Sequence, residues 1–525
     1  MALELSGFLS ERGLGFSRFV SLGNQADVTA AELIEACADH EATRVIALYC
    51  EDFGDGRAFT RAAARAVDAG KPVILMTVGG SEASIRGAQS HTGALTSDSA
   101  VIDAACRDAG IVRVATPRAL ADAAKVLLRF GTGHRPHRVA VVADGGGHGG
   151  IASDTCERVG LSVTALSAEL SREIGDLLPP SAGTANPIDL AGAGEQDNPS
   201  FAHVLEACLR SDEVDAVLFT GYFGGYGAYG EGLAAEELCT AQRMIDLTAA
   251  HGKPVIMHTM AHESPAAELL DTQGMPVFSA VEDAVGALAA LGGASRPDTL
   301  EPGATEPNVE LVSDDYWLER EMLTAIGVPF AAAERVQNAA EAVEAAERIG
   351  YPVVLKALGL LHKSDTGGVA LGLSDEEALV TALDRMQQTL SPPGYVLERM
   401  VDTRDAVEVI VGVQRDPRFG PIAMAGAGGV FTEVLGDVAF AFAPVSAQRG
   451  TELFRSLRTA RLLDDYRGRP AVDVPGAAEV LAKVSAFAAA NPRVSEIEIN
   501  PLLVSPQGTL ALDARVILAP EVTND

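Results

Sequence analysis

Lys356 closes the apolar run PVVLK, and six residues later the chain reads His362-Lys363-Ser364-Asp365-Thr366-Gly367-Gly368. A lysine at the end of a strand can reach phosphate oxygens from a sheet. A polar, glycine-ended loop can fold over them and offer backbone N–H groups. Glu498 and Asn500 stand two apart in a strand-like run, so they share a face. The turn at Pro506-Gln507 lies midway between Asn500 and Asp513, which predicts these two as cross-strand neighbours. Oxygen ligands gathered on one face suit Mg²⁺, which keeps several waters and takes its remaining ligands from a nucleotide. The alternative is a solvated polar face, and the strongly apolar flanks EIEINPLLV and TLALDARVIL disfavour it.

A second group lies in the first half of the chain. His91 sits in the small-residue turn SHTGAL, near the start of a helical pattern. Exposed amides at a helix start favour phosphate, so a histidine there can serve an anion site; an ordinary loop histidine is the other reading. Glu51 follows the strand-like run RVIALYC, where an open α/β sheet presents active-site groups. A carboxylate there can hold an imidazole in one tautomer and leave its other nitrogen nucleophilic, although a lone glutamate is more often a surface residue. Gly145–Gly150 reads GGGHGG after the run RVAVVAD. It contains the GxGxxG spacing but no convincing acidic strand end follows, so a dinucleotide site and a packing turn stay open.

These residues need a sheet to hold them. Short β-branched runs at Arg44–Tyr49, Pro72–Met76, Arg138–Val142 and Ala216–Phe219 alternate with Ala-rich helical segments, the pattern of buried parallel strands. The unit Thr43–Thr77 ends in GKPVILMT and Asp215–Thr259 ends in GKPVIMHT, so the sequence predicts two copies of one doubly wound unit. Only the first copy carries the segment with His91. From Val309 the runs Pro352–Ala357, Gly394–Arg399, Ala406–Val413, Val494–Val504 and Thr509–Val516 are longer and hairpin-linked, an α+β pattern. A Gly/Pro-rich stretch, 293–308, reads as a linker. The predicted domains are therefore 1–132, 133–292 and 309–525.

The chain has 525 residues, with 72 acidic and 40 basic side chains and a formal net charge of −32. Such a surface repels nucleic acid and anionic membranes. No apolar run is long enough to span a bilayer, and MALELSGFLSERG lacks the basic start and apolar core of a secretory signal. The six scattered cysteines contain no CxxC pair and read as buried free thiols of a cytoplasmic protein.

Together the blocks GLGFSRFVSLGNQADV, SEASIRGAQSHTGAL, ANPIDL, LHKSDTGGV, GAGGVFTEVLGDVAF and EIEINPLLV resemble the nucleoside-diphosphate-forming acyl-CoA synthetases. These are acid–CoA ligases of the ADP-forming acetate–CoA ligase type, related to succinyl-CoA synthetase. The resemblance covers nearly the whole chain. It implies two flavodoxin-like domains followed by an ATP-grasp domain. The implied reaction is acid + CoA + ATP ⇌ acyl-CoA + ADP + phosphate, through an acyl phosphate and a phosphohistidine. It implies that His91 is phosphorylated and that Glu51 orients it. Lys356, Lys363, Ser364, Gly367, Gly368, Gly428 and Gly429 would hold nucleotide, with Glu398 or Glu408 near the adenosine. Glu498, Asn500 and Asp513 would hold Mg²⁺. His91 must travel or hand its phosphate over to reach the grasp domain, with His362 as a relay or simply a phosphate ligand.

The chain departs from the family pattern in places. The CoA-binding domain and the SxSG turn expected at the front are not in the sequence. The pattern Lys-Ser-Gly-Arg appears as Thr77-Val78-Gly79-Gly80, and the segment between Lys356 and His362 is slightly short. A separate CoA-binding subunit, a misplaced start or a degenerate enzyme would each account for the front. An oligomer is expected by resemblance. The rival readings are an ATP-grasp ligase with another acceptor and a non-catalytic subunit that binds nucleotide or acyl-CoA.

Overall fold

A computed structural model describes residues 2–79, 81, 83–84, 97–294, 310–313, 315–360, 366–429 and 436–520. His91, His362, Lys363 and Ser364 lie outside the described residues. The chain divides into two compact units, Met1–Thr96 with Ala105–Asp298, and Ser97–Ala104 with Thr299–Asp525.

In the first unit, β1 (Ile46–Tyr49), β2 (Val73–Met76) and β3 (Ile111–Val114) form a parallel sheet in that order. A second parallel sheet runs β5-β4-β6-β7-β8, from β4 (Val139–Ala143), β5 (Ile188–Asp189), β6 (Ala216–Gly221), β7 (Val255–Thr259) and β8 (Val277–Phe278). The GKPVI repeat falls on equivalent strand–helix–strand units, β1 to β2 and β6 to β7, each pair parallel. Strands β2, β4, β6 and β7 are buried along their whole length, which is why they read as unbroken apolar runs rather than alternating ones.

One core joins the two sheets: Ile74 and Met76 of the first sheet with Val139, Val141, Leu218 and Ile256 of the second. The helices Pro117–Phe130 and Val281–Gly293 supply Leu120, Ala124, Leu127, Leu288 and Leu291 to it. The first of them starts at Thr116, whose hydroxyl accepts from Ala119 N–H at 3.1 Å, with Pro117 at the first helical position.

The second unit holds two antiparallel sheets. The smaller is β11-β10-β12-β9, from β9 (Ala333–Val336), β10 (Val353–Ala357), β11 (Val369–Leu373) and β12 (Tyr395–Arg399). The larger is β15-β14-β13-β16-β17, from β13 (Val407–Asp416), β14 (Gly420–Ala427), β15 (Val438–Phe442), β16 (Val494–Ser505) and β17 (Gly508–Ala511), with β18 (Ala514–Leu518) also on β16. The helix Val474–Ala490 covers it through Val480, Leu481, Val484 and Phe487.

Two expectations are corrected here. The run Thr509–Val516 is not one strand: it breaks at Leu512-Asp513 into β17 and β18 while keeping one register along β16. Leu512 N–H donates to Pro501 O at 3.0 Å, but proline has no N–H to return, so the Leu512 carbonyl is released from the ladder. The cysteines are all free, yet Cys239 is exposed and Cys37 half-buried, since both lie on outer helix faces. Among the described residues no helix is long and apolar enough to cross a membrane.

Candidate functional site

Lys356 on β10 and Glu398 on β12 are brought together by register. Lys356 pairs with Val396, so Glu398, two residues on, is its diagonal neighbour on the same face. Both are deeply buried, 6 % and 4 % exposed. Lys356 Nζ lies 3.0 Å from Glu398 Oε2, and it donates to the Tyr316 hydroxyl at 3.1 Å and to the released Leu512 carbonyl. An ammonium has three donors, and all three are engaged. Glu398 Oε1 accepts from the Tyr316 hydroxyl at 2.7 Å and from Arg320 Nη1 at 3.2 Å. Burial, then the charges of Glu398 and Asp513, push the Tyr316 phenol well above its ordinary range, so it stays a donor.

Sequence reasoning did not single out Tyr316, Arg320 or the Leu512 carbonyl. Tyr316 and Arg320 stand four apart on the helix Tyr316–Ala325, one face of one turn. That spacing was the available signal. The helix begins at Asp315, whose carboxylate accepts from the Trp317 and Leu318 N–H groups.

Asn500 and Asp513 are cross-strand neighbours, with Asn500 N–H donating to Asp513 O at 3.2 Å. Asn500 Nδ2 donates to Glu498 Oε1 at 3.1 Å, and its Oδ1 accepts from Gly429 N–H at 3.1 Å. Two carboxylates and an amide on a half-buried strand pair form a donor set that fits Mg²⁺ completed by phosphate oxygens. Among the described residues no three His, Cys, Asp or Glu side chains gather as a metal cage, and Mg²⁺ rarely uses one. Glu408 lies next to this group, its backbone carbonyl accepting from Gly428 N–H at 3.0 Å. Gly428 has a packing reason to be glycine: a Cβ would fall 2.4 Å from the Val409 carbonyl carbon. Gly367 and Gly368 lead into β11, where Ala357 N–H donates to Gly368 O at 2.8 Å.

In the first unit, Glu51 follows β1 and its Oε1 accepts from the Tyr49 hydroxyl at 2.6 Å. Burial first, then Glu51, raises the Tyr49 phenol from 10.0 to about 12. The sign follows from linkage. A phenol that ionises later in the folded state contributes stability below pH 10, and that contribution is lost as pH rises from 10 toward 12. We expect unfolding free energy to fall more steeply above pH 10 in the wild type than in Tyr49→Phe, read by urea denaturation across that range.

The run GGGHGG opens the helix Gly146–Arg158 at the carboxyl end of β4. This is where the strand order β5-β4-β6 reverses, the crevice in which open α/β sheets bind ligands. Residues not singled out from sequence surround it. Asp144 Oδ2 accepts from the Tyr226 hydroxyl, while its buried Oδ1 has no hydrogen-bond partner among the described residues. Burial raises the Asp144 carboxyl. His148 and His258 have ring centroids 6.3 Å apart, and His258 Nδ1 is 2.8 Å from Thr220 Oγ1. Burial lowers the His258 imidazolium below its ordinary range.

Comparison with known proteins bears on both units. Residues 1–127 match a family profile described as a succinyl-CoA ligase like flavodoxin domain, and residues 315–518 one described as an ATP-grasp domain. The chain is 31% identical over 539 residues to acetate–CoA ligase (ADP-forming) I of Archaeoglobus fulgidus, covering 97% of this chain and 75% of that protein. It is also 31% identical over 542 residues to a trans-feruloyl-CoA synthase from an unknown prokaryotic organism, covering 99% and 75%. A third relative, the beta subunit of acetate–CoA ligase (ADP-forming) I of Pyrococcus furiosus, is 36% identical over 208 residues, covering 38% of this chain and 89% of that subunit.

Proposed function

The chain belongs to the ADP-forming acyl-CoA synthetase family, and we propose that it interconverts a carboxylic acid, CoA and ATP with acyl-CoA, ADP and phosphate through the residues described above. The observation that carries this reading is the buried cluster of Lys356, Glu398, Tyr316 and Arg320 in the ATP-grasp region, beside strands bearing Glu498, Asn500 and Asp513. Buried charges of this kind are costly without a function or full pairing.

Lys356 binds the nucleotide phosphates by exchanging one of its three protein acceptors for a phosphate oxygen. Glu398 and Tyr316 set the direction of its ammonium. Glu498, Asn500 and Asp513 hold Mg²⁺, which supplies neutralisation of phosphate charge. Together they give an acidic chain a local positive field for a polyanion. His91 accepts the phosphoryl group and passes it to the acid carboxylate, and Glu51 holds the imidazole in the reactive tautomer. The thiol of CoA then attacks the acyl phosphate and releases phosphate. The Pyrococcus furiosus relative is the beta subunit of an enzyme with separate subunits, which supports a partner subunit here, and the reading assigns CoA binding to that partner.

The test is acid-dependent turnover by the full chain with ATP, Mg²⁺, CoA and a panel of carboxylic acids. Thioester together with ADP and phosphate is expected once a CoA-binding partner subunit is supplied. ATP consumption only with an amine acceptor would point to a different grasp ligase. Nucleotide binding without any phosphorylated enzyme would point to a regulatory subunit. Thioester formed by this chain alone would rule out the need for a partner.

A further inference from the structure

The amino ends of β4, β6 and β7, three adjacent strands, border a cavity of about 310 Å³. It lies at the opposite edge of the second sheet from the strand reversal. β4 and β7 have five residues each, and at about 3.3 Å per residue roughly 15 Å of sheet separates the two places. The chain enters the cavity wall after the helix Pro117–Phe130. Gly133 turns it with φ +97°, a conformation that residues with a Cβ avoid, and His134 and Arg135 beyond it line the cavity.

The lining runs against the net charge of −32. Arg135, Arg138 and Lys253 face the cavity with His134, Asp212 and Asp215. Asp215 is already engaged. Its Oδ1 accepts from Arg138 Nη2 at 2.6 Å, and its Oδ2 accepts from Arg138 Nε at 3.3 Å and from the His137 and Arg138 N–H groups at 3.2 and 2.8 Å. Arg138 and Asp215 therefore offset each other. Arg135 and Lys253 are left facing one carboxylate, Asp212, and Arg135 has no hydrogen bond or ion pair among the described residues.

The internal repeat sets Lys253 apart. Each copy places a lysine just before its second strand, Lys71 and Lys253 in GKPVI. Lys71 Nζ donates to the Cys37 and His40 carbonyls at 3.0 and 2.7 Å. Lys253 Nζ donates to the Ser211 carbonyl at 2.6 Å. An ammonium has three donors, so two of those on Lys253 have no protein acceptor among the described residues. Burial lowers the Lys253 ammonium below its ordinary range, as expected of a cation short of acceptors. The first copy closes its lysine against the chain, and the second leaves it on a cavity.

We propose that this cavity binds the phosphate monoester of a small polyhydroxylated compound, with the phosphate on Arg135 and Lys253 and a ligand hydroxyl donating to Asp212. A phosphate monoester carries about −1.5 to −2 charges near neutral pH and three strong acceptor oxygens. It can take the planar donor fork of Arg135 and the two remaining donors of Lys253 together, where a carboxylate brings only one charge. Asp212 repels a bare anion and favours a ligand that brings a donor beside the phosphate. The volume is at the small end of the range for pockets that enclose organic ligands, roughly 300–1,000 Å³, which suits a sugar phosphate and not a dinucleotide. The site stands whether or not the ligase reading holds.

The test is calorimetric titration of the full chain with ribose 5-phosphate and glucose 6-phosphate, and with inorganic phosphate and gluconate for comparison. At least one sugar phosphate is expected to bind with Kd of about 1 mM or tighter, and about ten-fold or more tighter than inorganic phosphate or gluconate. Arg135→Ala and Lys253→Met should each weaken it by about ten-fold or more. Asp212→Ala should tighten inorganic phosphate while weakening the sugar phosphate, so that the preference between them narrows. Arg135 and Asp212 are exposed, so their variants decide the matter even where Lys253→Met disturbs the fold. Unchanged affinity in Arg135→Ala would put the binding elsewhere and overturn the proposal. Absence of binding by both sugar phosphates would also overturn it, as would equal binding of inorganic phosphate or gluconate, or an unchanged preference in Asp212→Ala.

Discussion

Glu398→Gln is expected to destabilise the second unit more than Lys356→Met, although both strongly reduce nucleotide-dependent phosphorylation. Glu398 is the shared acceptor of two buried cations, Lys356 and Arg320, whose side chains are 8% and 9% exposed. Its neutralisation leaves both charges unmatched, and breaking a buried pair from one side costs about 3–5 kcal/mol. Lys356→Met leaves Glu398 still bound to Arg320 and Tyr316. Its main loss is the donor to the half-buried Leu512 carbonyl, which keeps the Tyr316 hydroxyl at 3.3 Å, so the cost stays below that of a stranded acceptor, about 1–3 kcal/mol. The double variant should recover stability relative to the sum of the singles, because Lys356→Met removes one of the two cations that Glu398→Gln leaves unmatched. Phosphorylation should stay down by about 10²–10³ in all three, the range for deleting one preorganised charge-stabilising donor. Urea denaturation reads the first quantity and labelled ATP the second. Wild-type labelling in Lys356→Met would make the cluster purely structural.

That ordering could not have been written from the sequence. The strands were legible because burial on both faces leaves unbroken apolar runs, and the GKPVI repeat marked two like units. The Asn500–Asp513 pairing was legible because a hairpin register is symmetric about its turn. The partners of Lys356 were hidden, since Tyr316 is 40 residues away and Glu398 reaches it only through the β10–β12 register. The Leu512 carbonyl was hidden for a different reason. Its availability depends on Pro501, the residue opposite, having no N–H, and that matters only once the pairing is known. Gly428 shows the reverse case, a residue read as a ligand-binding glycine for which backbone packing on Val409 gives an independent reason.

His91→Ala is expected to remove all phosphoryl label donated by an acyl phosphate, and all label donated by ATP except what a relay imidazole at His362 would keep. A phosphohistidine has a high-energy N–P bond, stable in base and labile in acid, so the lost label should show that pattern in the wild type. His362→Ala separates two roles for the loop HKSDTGG. A relay imidazole must carry the phosphoryl group between nucleotide and His91. Its removal then abolishes labelling from ATP but leaves labelling from an acyl phosphate, because that donor meets His91 directly. A phosphate-binding imidazole only stabilises charge in passing, so its removal slows labelling from ATP by about 10²-fold or more without blocking it. The comparison therefore needs both donors on both variants, with peptide mapping of the base-stable label. Label on His91 from ATP at the wild-type rate in His362→Ala would end the relay. Label retained in His91→Ala at a residue other than His362 would move the phosphoryl acceptor elsewhere in the chain and take the assigned role of Glu51 with it.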